Sequence, residues 1–232
     1  MKSLFNTILY QPLLNLLIFF YQHLHDLGLA IIFLTIIIRL VLLPFFYKSA
    51  KDQAIIQRLA PKIKEIQKNH KGDPSTQTQA MMALYKEHKV NPLSSFLLLI
   101  IQLPILIALY RAFLRGILEI VARPLFLGLI DLTKPNIFII IVAALAAFWQ
   151  GMVSVPKIAK DKVLSPTDKL GRRMALMAPI WIVIILRLLP SAVGLYILAS
   201  TLFSVIQQII INKTLKVGFN KTEKKWINFK KF

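Results

Sequence analysis

The 232-residue chain contains no cysteine, which excludes disulfides, thiolate metal sites and a thioether-linked lipid anchor. Acidic residues are scarce: ten Asp and Glu stand against 29 Lys and Arg, for a formal net charge of +19. None lies in the middle of a long apolar run; Asp26, Glu119 and Asp131 all fall outside. A proton- or cation-coupled transporter ordinarily keeps a carboxylate inside the membrane, so this scarcity counts against that class. Enzyme signatures are missing too: no HExxH, no GxSxG, and no Gly-rich loop with a Walker lysine. The four histidines, His23, His25, His70 and His88, fall in segments expected at the surface. His25-Asp26 has the composition of an acid–base pair, but the end of an interfacial helix accounts for it better. No catalytic group, cofactor or metal site is therefore expected. The N-terminus, MKSLFNTILYQPLLNLLIFFY, lacks a small-x-small cleavage pattern and the Arg- and Ser-rich character of a transit peptide. It is read as a retained segment of a bacterial protein.

What is present is apolar: 56% of residues are hydrophobic and only 17% charged, the balance of an integral membrane protein. Five segments, 28–47, 95–114, 136–155, 174–190 and 192–212, are long enough to cross a hydrocarbon core, which takes about 20 helical residues. They must be helices there, because no water satisfies the backbone. Pro190-Ser191 makes a tight turn between the last two. A sixth run, 4–21, is interrupted by Asn6, Gln11, Pro12 and Asn15. It carries Leu13, Leu14, Leu17 and Ile18 as one stripe and fits a helix lying along the membrane surface better than a span.

The basic residues sort by segment. Nine lie in 48–94, six in 156–173 and seven after 212, all on one side if there are five spans. The positive-inside rule makes that side cytoplasmic, with the N-terminus outside and the C-terminus inside. The 48–94 segment is patterned. Ile55, Ile56, Leu59, Ile63 and Ile66 form an apolar stripe at helical spacing. Asp73 and Pro74 then supply an N-cap and a first helical position, and Asn91-Pro92 stops the second helix. This predicts a cytoplasmic amphipathic helical hairpin. The two helices pack on each other, and adjacent Met81 and Met82, with Tyr85, are candidates for an adaptable docking surface.

The spans hold a few polar side chains. Arg39 sits in LTIIIRLVLLPFF, Leu34 to Phe46; a charge at mid-span costs about 2.5–3.5 kcal/mol on insertion scales. Thr35 lies one turn before it. Two readings stand on the residues alone: a side chain snorkelling to the headgroups, or an arginine facing a water-filled cavity, which its distance from the span end favours. Gln102, Gln150, and the series Tyr196, Ser200, Ser204 and Gln208 are candidate walls of that cavity; the series also suits plain interhelical hydrogen bonding.

The motifs GLAIIFLTIIIRLVLLPF, LAPKIKEIQKNHKGDP, MMALYKEHKVNPL, LIIQLPILIALYRAF and LPSAVGLYILASTLFSVIQQIII resemble, in order, the YidC/Oxa/Albino family of membrane protein insertases, from about residue 8 to 213. The resemblance implies an all-α membrane fold of five transmembrane helices, N-out and C-in, with the surface helix at 1–27, the hairpin at 48–94, an outer loop at 115–135, a cytoplasmic loop at 156–173 and a basic tail at 213–232. It implies a hydrophilic groove open to cytoplasm and lipid, with Arg39 as its arginine and Thr35, Gln150 and Tyr196 at family positions; Gln102 and Ser200, read from the residues themselves, join them as candidates along the client path. Implied partners are nascent membrane proteins and lipid, together with ribosome and Sec translocon, the protein itself acting as a monomer in the bacterial cell membrane. Two departures stand out. Ile197 occupies a position where many relatives carry a second aromatic, and the large extracytoplasmic domain of some bacterial relatives is not expected, which makes this a short form.

The tail interleaves Lys221, Lys224, Lys225, Lys230 and Lys231 with Phe219, Trp226, Phe229 and Phe232. Ribosomal RNA contact and attachment to anionic lipid both suit it, as does a plain topology signal. Rival functions for the whole chain are a small channel or transporter with an Arg39-lined anion path, and a chaperone for helices already inserted.

Overall fold

The computed structural model describes residues 2–113, 121, 124–154, 177 and 179–229. The chain is mostly helical. Helix α1 (Lys2–Phe5), a π-helical turn (Asn6–Tyr10) and α2 (Gln11–Leu24) follow one another with helical backbone at each junction. His25 ends α2 in the left-handed region, φ 53°, and its N–H returns to the Tyr21 carbonyl at 2.8 Å. Asp26 then starts α3 (Leu27–Asn69), its Oδ1 accepting from the Leu29 N–H at 2.8 Å.

Helix α3 is 43 residues long, about 65 Å at 1.5 Å per residue. One helix thus carries the apolar 28–47 segment and the first part of the 48–94 segment. Nothing in Tyr47-Lys48-Ser49-Ala50-Lys51 stops it, and it runs on through Pro44 and Pro61 until Gly72, at φ 112°, supplies a turn. Helix α4 (Pro74–Glu87) opens on Asp73, whose carboxylate accepts from the Ser75 and Thr76 N–H groups at 3.0 and 3.1 Å and from the Thr76 hydroxyl at 2.5 Å. These donors hold the Asp73 carboxyl below the usual aspartate range, the Thr76 hydroxyl contributing most. Helix α5 (Ser94–Arg111) follows the Asn91-Pro92 turn, where Asn91 Oδ1 accepts from the Leu93 N–H at 2.9 Å.

The 115–135 segment, expected as loop, contains a short antiparallel pair, β1 (Leu125–Phe126) with β2 (Ile130–Asp131). Leu127 and Gly128, both at positive φ, turn the chain between them. Helix α6 (Ile137–Ser154), α7 (residues 179–186) and α8 (Ser191–Phe229) complete the order. Two apolar stretches are long enough to cross a membrane by length and composition, Leu27–Ile56 and Ser191–Ile211; Phe96–Arg111 and Ile137–Val153 are shorter apolar helices. Their outward faces carry large apolar side chains, among them Phe33, Leu40, Val41, Leu145, Trp149, Ile206 and Ile210. Such surfaces are unfavourable in water and neutral in lipid.

The chain divides into two units: Met1–Val41 with Leu103–Ile209, and Leu42–Gln102 with Ile210–Phe232. In the first, Ile140, Ala143 and Leu186 form a core against Ile182, Val183, Ile197 and Leu198. Gly194 permits close approach there, since a Cβ would stand 3.0 Å from Ile139 Cγ2. In the second, Leu59, Leu84 and Val90 form a core against Ile55, Ile56, Ile63, Ile66 and Tyr85.

One segment of the first unit ties the N-terminal ends of α3 and α8. Asp26 uses its second carboxylate oxygen to accept from the Leu127 N–H at 2.6 Å. A methyl group on Gly28 would overlap the Phe126 ring. At the far end, the Ser191 and Ala192 N–H groups donate to the Lys134 and Leu132 carbonyls at 3.1 and 3.0 Å. These are first-turn amides that α8 cannot satisfy internally.

Candidate functional site

Helices α3 and α8 bring Arg39 and Ser200 together. Arg39 is buried, 8% exposed, and its Nε donates to Ser200 Oγ at 2.9 Å while its Nη2 donates to the same oxygen. Arg39 lies about 18 Å along α3 from Leu27 at 1.5 Å per residue. A snorkelling arginine would carry its head out to the interface; this head is turned inward onto a serine of another helix. The Ser200 hydroxyl is a neutral acceptor, so these two bonds orient the guanidinium without neutralising it.

Around the pair, two hydroxyls return to their own helices. Thr35 is 1% exposed, and its hydroxyl donates back to the Ile31 carbonyl at 2.6 Å. It therefore satisfies its own helix first, as a threonine in an apolar setting does. Tyr196, one turn before Ser200, is 2% exposed and close enough to Arg39 for electrostatic coupling. Ser204 donates to the Ser200 carbonyl at 3.0 Å, again a return to its own helix. Gln150 on α6 is half-buried. Gln102, also half-buried, belongs to the second unit. Arg39, Ser200 and Tyr196 thus form the assembled set.

The four-residue repeat read from the sequence does not follow one face of α8. At 3.6 residues per turn such a repeat drifts about 40° per step, so Gln208 has rotated away from Ser200 and is half-buried. The buried face runs through Val193, Tyr196, Ser200, Gln207 and Ile211. Gln207, not singled out by that repeat, is the polar side chain two turns beyond Ser200. An i, i+4, i+11 reading from Tyr196 would have found it.

In the second unit, Tyr85 packs on the Leu59–Leu84–Val90 core, Met81 is half-buried, and Met82 points outward, 49% exposed. Ser49 and Asp52 on α3 are buried polar residues that apolar periodicity does not flag. Of the basic tail, α8 continues as helix to Phe229. The side chains of Lys221, Lys224 and Lys225, and all of Lys230 and Lys231, lie outside the described residues, as does the 156–173 segment. No cluster of metal-ligating side chains occurs among the described residues.

Comparison with known proteins gives a consistent family. The model of the 60Kd inner membrane protein family matches residues 19–220. The chain is 31% identical over 209 residues to the membrane protein insertase YidC of Geobacter metallireducens, covering 90% of this chain and 38% of that protein. It is 34% identical over 203 residues to the YidC insertase of Helicobacter pylori, covering 87% of this chain and 36% of that protein. It therefore spans well under half the length of these relatives. Among solved structures, a crystal structure of an active YidC insertase with its first transmembrane domain resolved matches with a TM-score of 0.62 at 26% identity, over 87% of this chain and 45% of that one. The helical fold is YidC-like.

Proposed function

The chain belongs to the 60Kd inner membrane protein family, and from that premise we propose that it is a membrane protein insertase. In this reading it moves short hydrophilic client segments past a buried arginine and releases apolar helices into lipid. The observation that carries the reading is the Arg39–Ser200 pair. A guanidinium is held 8% exposed in an apolar setting, two of its N–H groups donating to one serine hydroxyl of another helix, and a buried cation inside a span is costly unless it has a use.

The mechanism follows from desolvation. A hydrophilic segment crossing hydrocarbon loses its water, and each stripped polar group costs several kcal/mol, roughly 2–7 on transfer scales. A polar path part of the way through the bundle shortens the dehydrated distance. Arg39 attracts acidic residues of the segment strongly, because charges interact more in a low-dielectric site than in water. The client's apolar helix then partitions into lipid on its own hydrophobicity. Nothing in this sequence of events makes or breaks a covalent bond.

Placement in the membrane is part of the same proposal. Five spans, 28–47, 95–114, 136–155, 174–190 and 192–212, put the basic segments on the cytoplasmic side. The 1–27 helix lies on the outer surface, and the hairpin formed by the C-terminal part of α3 with α4 lies in the cytoplasm. There Met81, Met82 and Tyr85 receive clients or a partner. The bacterial inner membrane is the proposed site of action, and nascent membrane proteins the proposed clients. Lysines 221, 224, 225, 230 and 231 are proposed to contact the ribosome or anionic lipid.

The direct experiment compares Arg39→Ala and Arg39→Lys in vesicles carrying the purified chain, with protease protection of a client's acidic N-terminal tail as readout. Alanine is expected to lose insertion and lysine to retain part of it. Equal insertion by Arg39→Ala and wild type would overturn the charge mechanism. Solute flux through the same vesicles separates an insertase from a channel, which alone conducts without a client. Truncation before Lys213, with ribosome co-sedimentation at low and high salt, tests the tail.

A further inference from the structure

Gln207 is a polar side chain that the Arg39–Ser200 pair does not use. It is 7% exposed, and neither its carbonyl oxygen nor its amide nitrogen has a hydrogen-bond partner among the described residues. Leaving both ends of a buried amide unsatisfied is unfavourable, and intramembrane polar groups kept at such cost mark functional positions.

Its place on α8 gives it a direction. Gln207 is seven residues from Ser200, two turns and about 10 Å along the same face. Helical side chains lean toward the N-terminus of their own helix, so the amide leans toward the Ser200 level. Three hydroxyls of this neighbourhood are already committed: Ser200 Oγ to Arg39, Ser204 and Thr35 to their own backbones. What Gln207 offers is a neutral group with donor and acceptor side by side. That pattern complements a peptide group or a side-chain amide, which presents an N–H and a C=O together, and it does not select for charge.

We propose that Gln207 is a docking site for the peptide groups of a client's hydrophilic segment, on the cytoplasmic side of the Arg39–Ser200 pair. The proposal rests on the insertase reading and adds a division of labour to it. Arg39 favours acidic side chains, whereas Gln207 accepts the uncharged backbone of any polar segment.

The test uses the full chain in vesicles of phosphatidylethanolamine and phosphatidylglycerol, with single-span clients whose N-terminal tails are Ser/Asn-rich and uncharged, Asp-bearing, or apolar. Gln207→Leu is expected to slow protection of both polar tails by about tenfold, the effect of losing one well-made buried hydrogen bond. It should leave the apolar tail unchanged. Its unfolding temperature should equal or exceed that of wild type, because an apolar isostere removes an unsatisfied buried amide. Gln207→Met, equally long and apolar, should behave alike and serves if the leucine variant does not fold. Wild-type insertion of the uncharged polar tail by these variants would overturn the proposal. So would an equal loss for all three tails, which marks defective folding rather than tail recognition. Arg39→Ala run in parallel keeps the two ideas apart. If Arg39→Ala is impaired on the Asp-bearing tail and Gln207→Leu is not impaired on either polar tail, only the Gln207 site falls. The reverse pattern leaves the site standing without the arginine, and no effect from either removes both.

Discussion

Arg39 and Ser200, 161 residues apart in the chain, meet through two guanidinium N–H groups donating to one hydroxyl oxygen. The serine fixes the side chain's direction across the α3–α8 contact. A bond to a charged group is worth about 1.5–3 kcal/mol, though double-mutant cycles inside a membrane protein average nearer 0.6. Ser200→Ala is therefore expected to lower unfolding stability by about 1 kcal/mol. It should also reduce insertion of acidic-tailed clients less than Arg39→Ala does, because the charge remains while its orientation loosens. Denaturant-dependent unfolding and the vesicle insertion assay check the two halves separately.

Gly28 is expected to tolerate no side chain. A Cβ there overlaps the Phe126 ring, so Gly28→Val should destabilise the protein by about 1–3 kcal/mol, the range for overpacking. Phe126→Ala in the same chain should recover part of that loss. A thermal unfolding series on the two single variants and the double variant measures the coupling; strict additivity would show that the ring and the glycine are not in contact.

The two packing positions of the second unit should separate stability from docking. Leu59 is 6% exposed in its core, and Leu59→Ala is expected to cost about 2–5 kcal/mol. Met82 is 49% exposed, and Met82→Ser should stay within about 0.5 kcal/mol of wild type. If Met82 receives clients or a partner, that variant should nonetheless insert less. Hydrogen exchange of α4 reports the first effect and the insertion assay the second.

Acid should loosen the start of α4. The Asp73 carboxyl is held below the ordinary aspartate range by the Thr76 hydroxyl and by the Thr76 and Ser75 amides. A group depressed in the folded state stabilises it above its unfolded pKa, and that contribution disappears as pH falls through the folded value. Protection of the first α4 amides should therefore be full at neutral pH and decline only below the ordinary aspartate pKa of about 4. Asp73→Asn, which keeps a capping oxygen, should flatten the decline; Asp73→Ala should lose protection at every pH. An Asn variant that follows the wild-type acid profile would show that another group titrates.

Local signals were legible in the sequence where neighbours along the chain decide the outcome. Asp73-Pro74 starts α4 because cap and first-turn chemistry involve residues two and three positions away. The stripe Ile55, Ile56, Leu59, Ile63 and Ile66 faces the Leu84–Val90 core because one helical face must be buried. Where helices α3 and α8 place their polar groups was less legible. The Tyr196–Gln208 repeat misjudged the face by one residue at Gln207, since four-residue steps outrun the helical turn. The β1–β2 pair carried too few residues for an alternating pattern, and its role depends on Asp26 and Gly28, about a hundred positions earlier.

The sequence by itself determined that the chain is basic, apolar and mostly helical, with a charge set deep in an apolar run, because composition and periodicity act over single segments. Only the tertiary structure decided what that charge faces. Whether Arg39 reaches outward or inward depends on which residue α8 presents to it, and that is fixed by helix packing and by the shared ties of α3 and α8 to the 124–134 segment. These contacts join residues distant in the chain, and no local pattern encodes them.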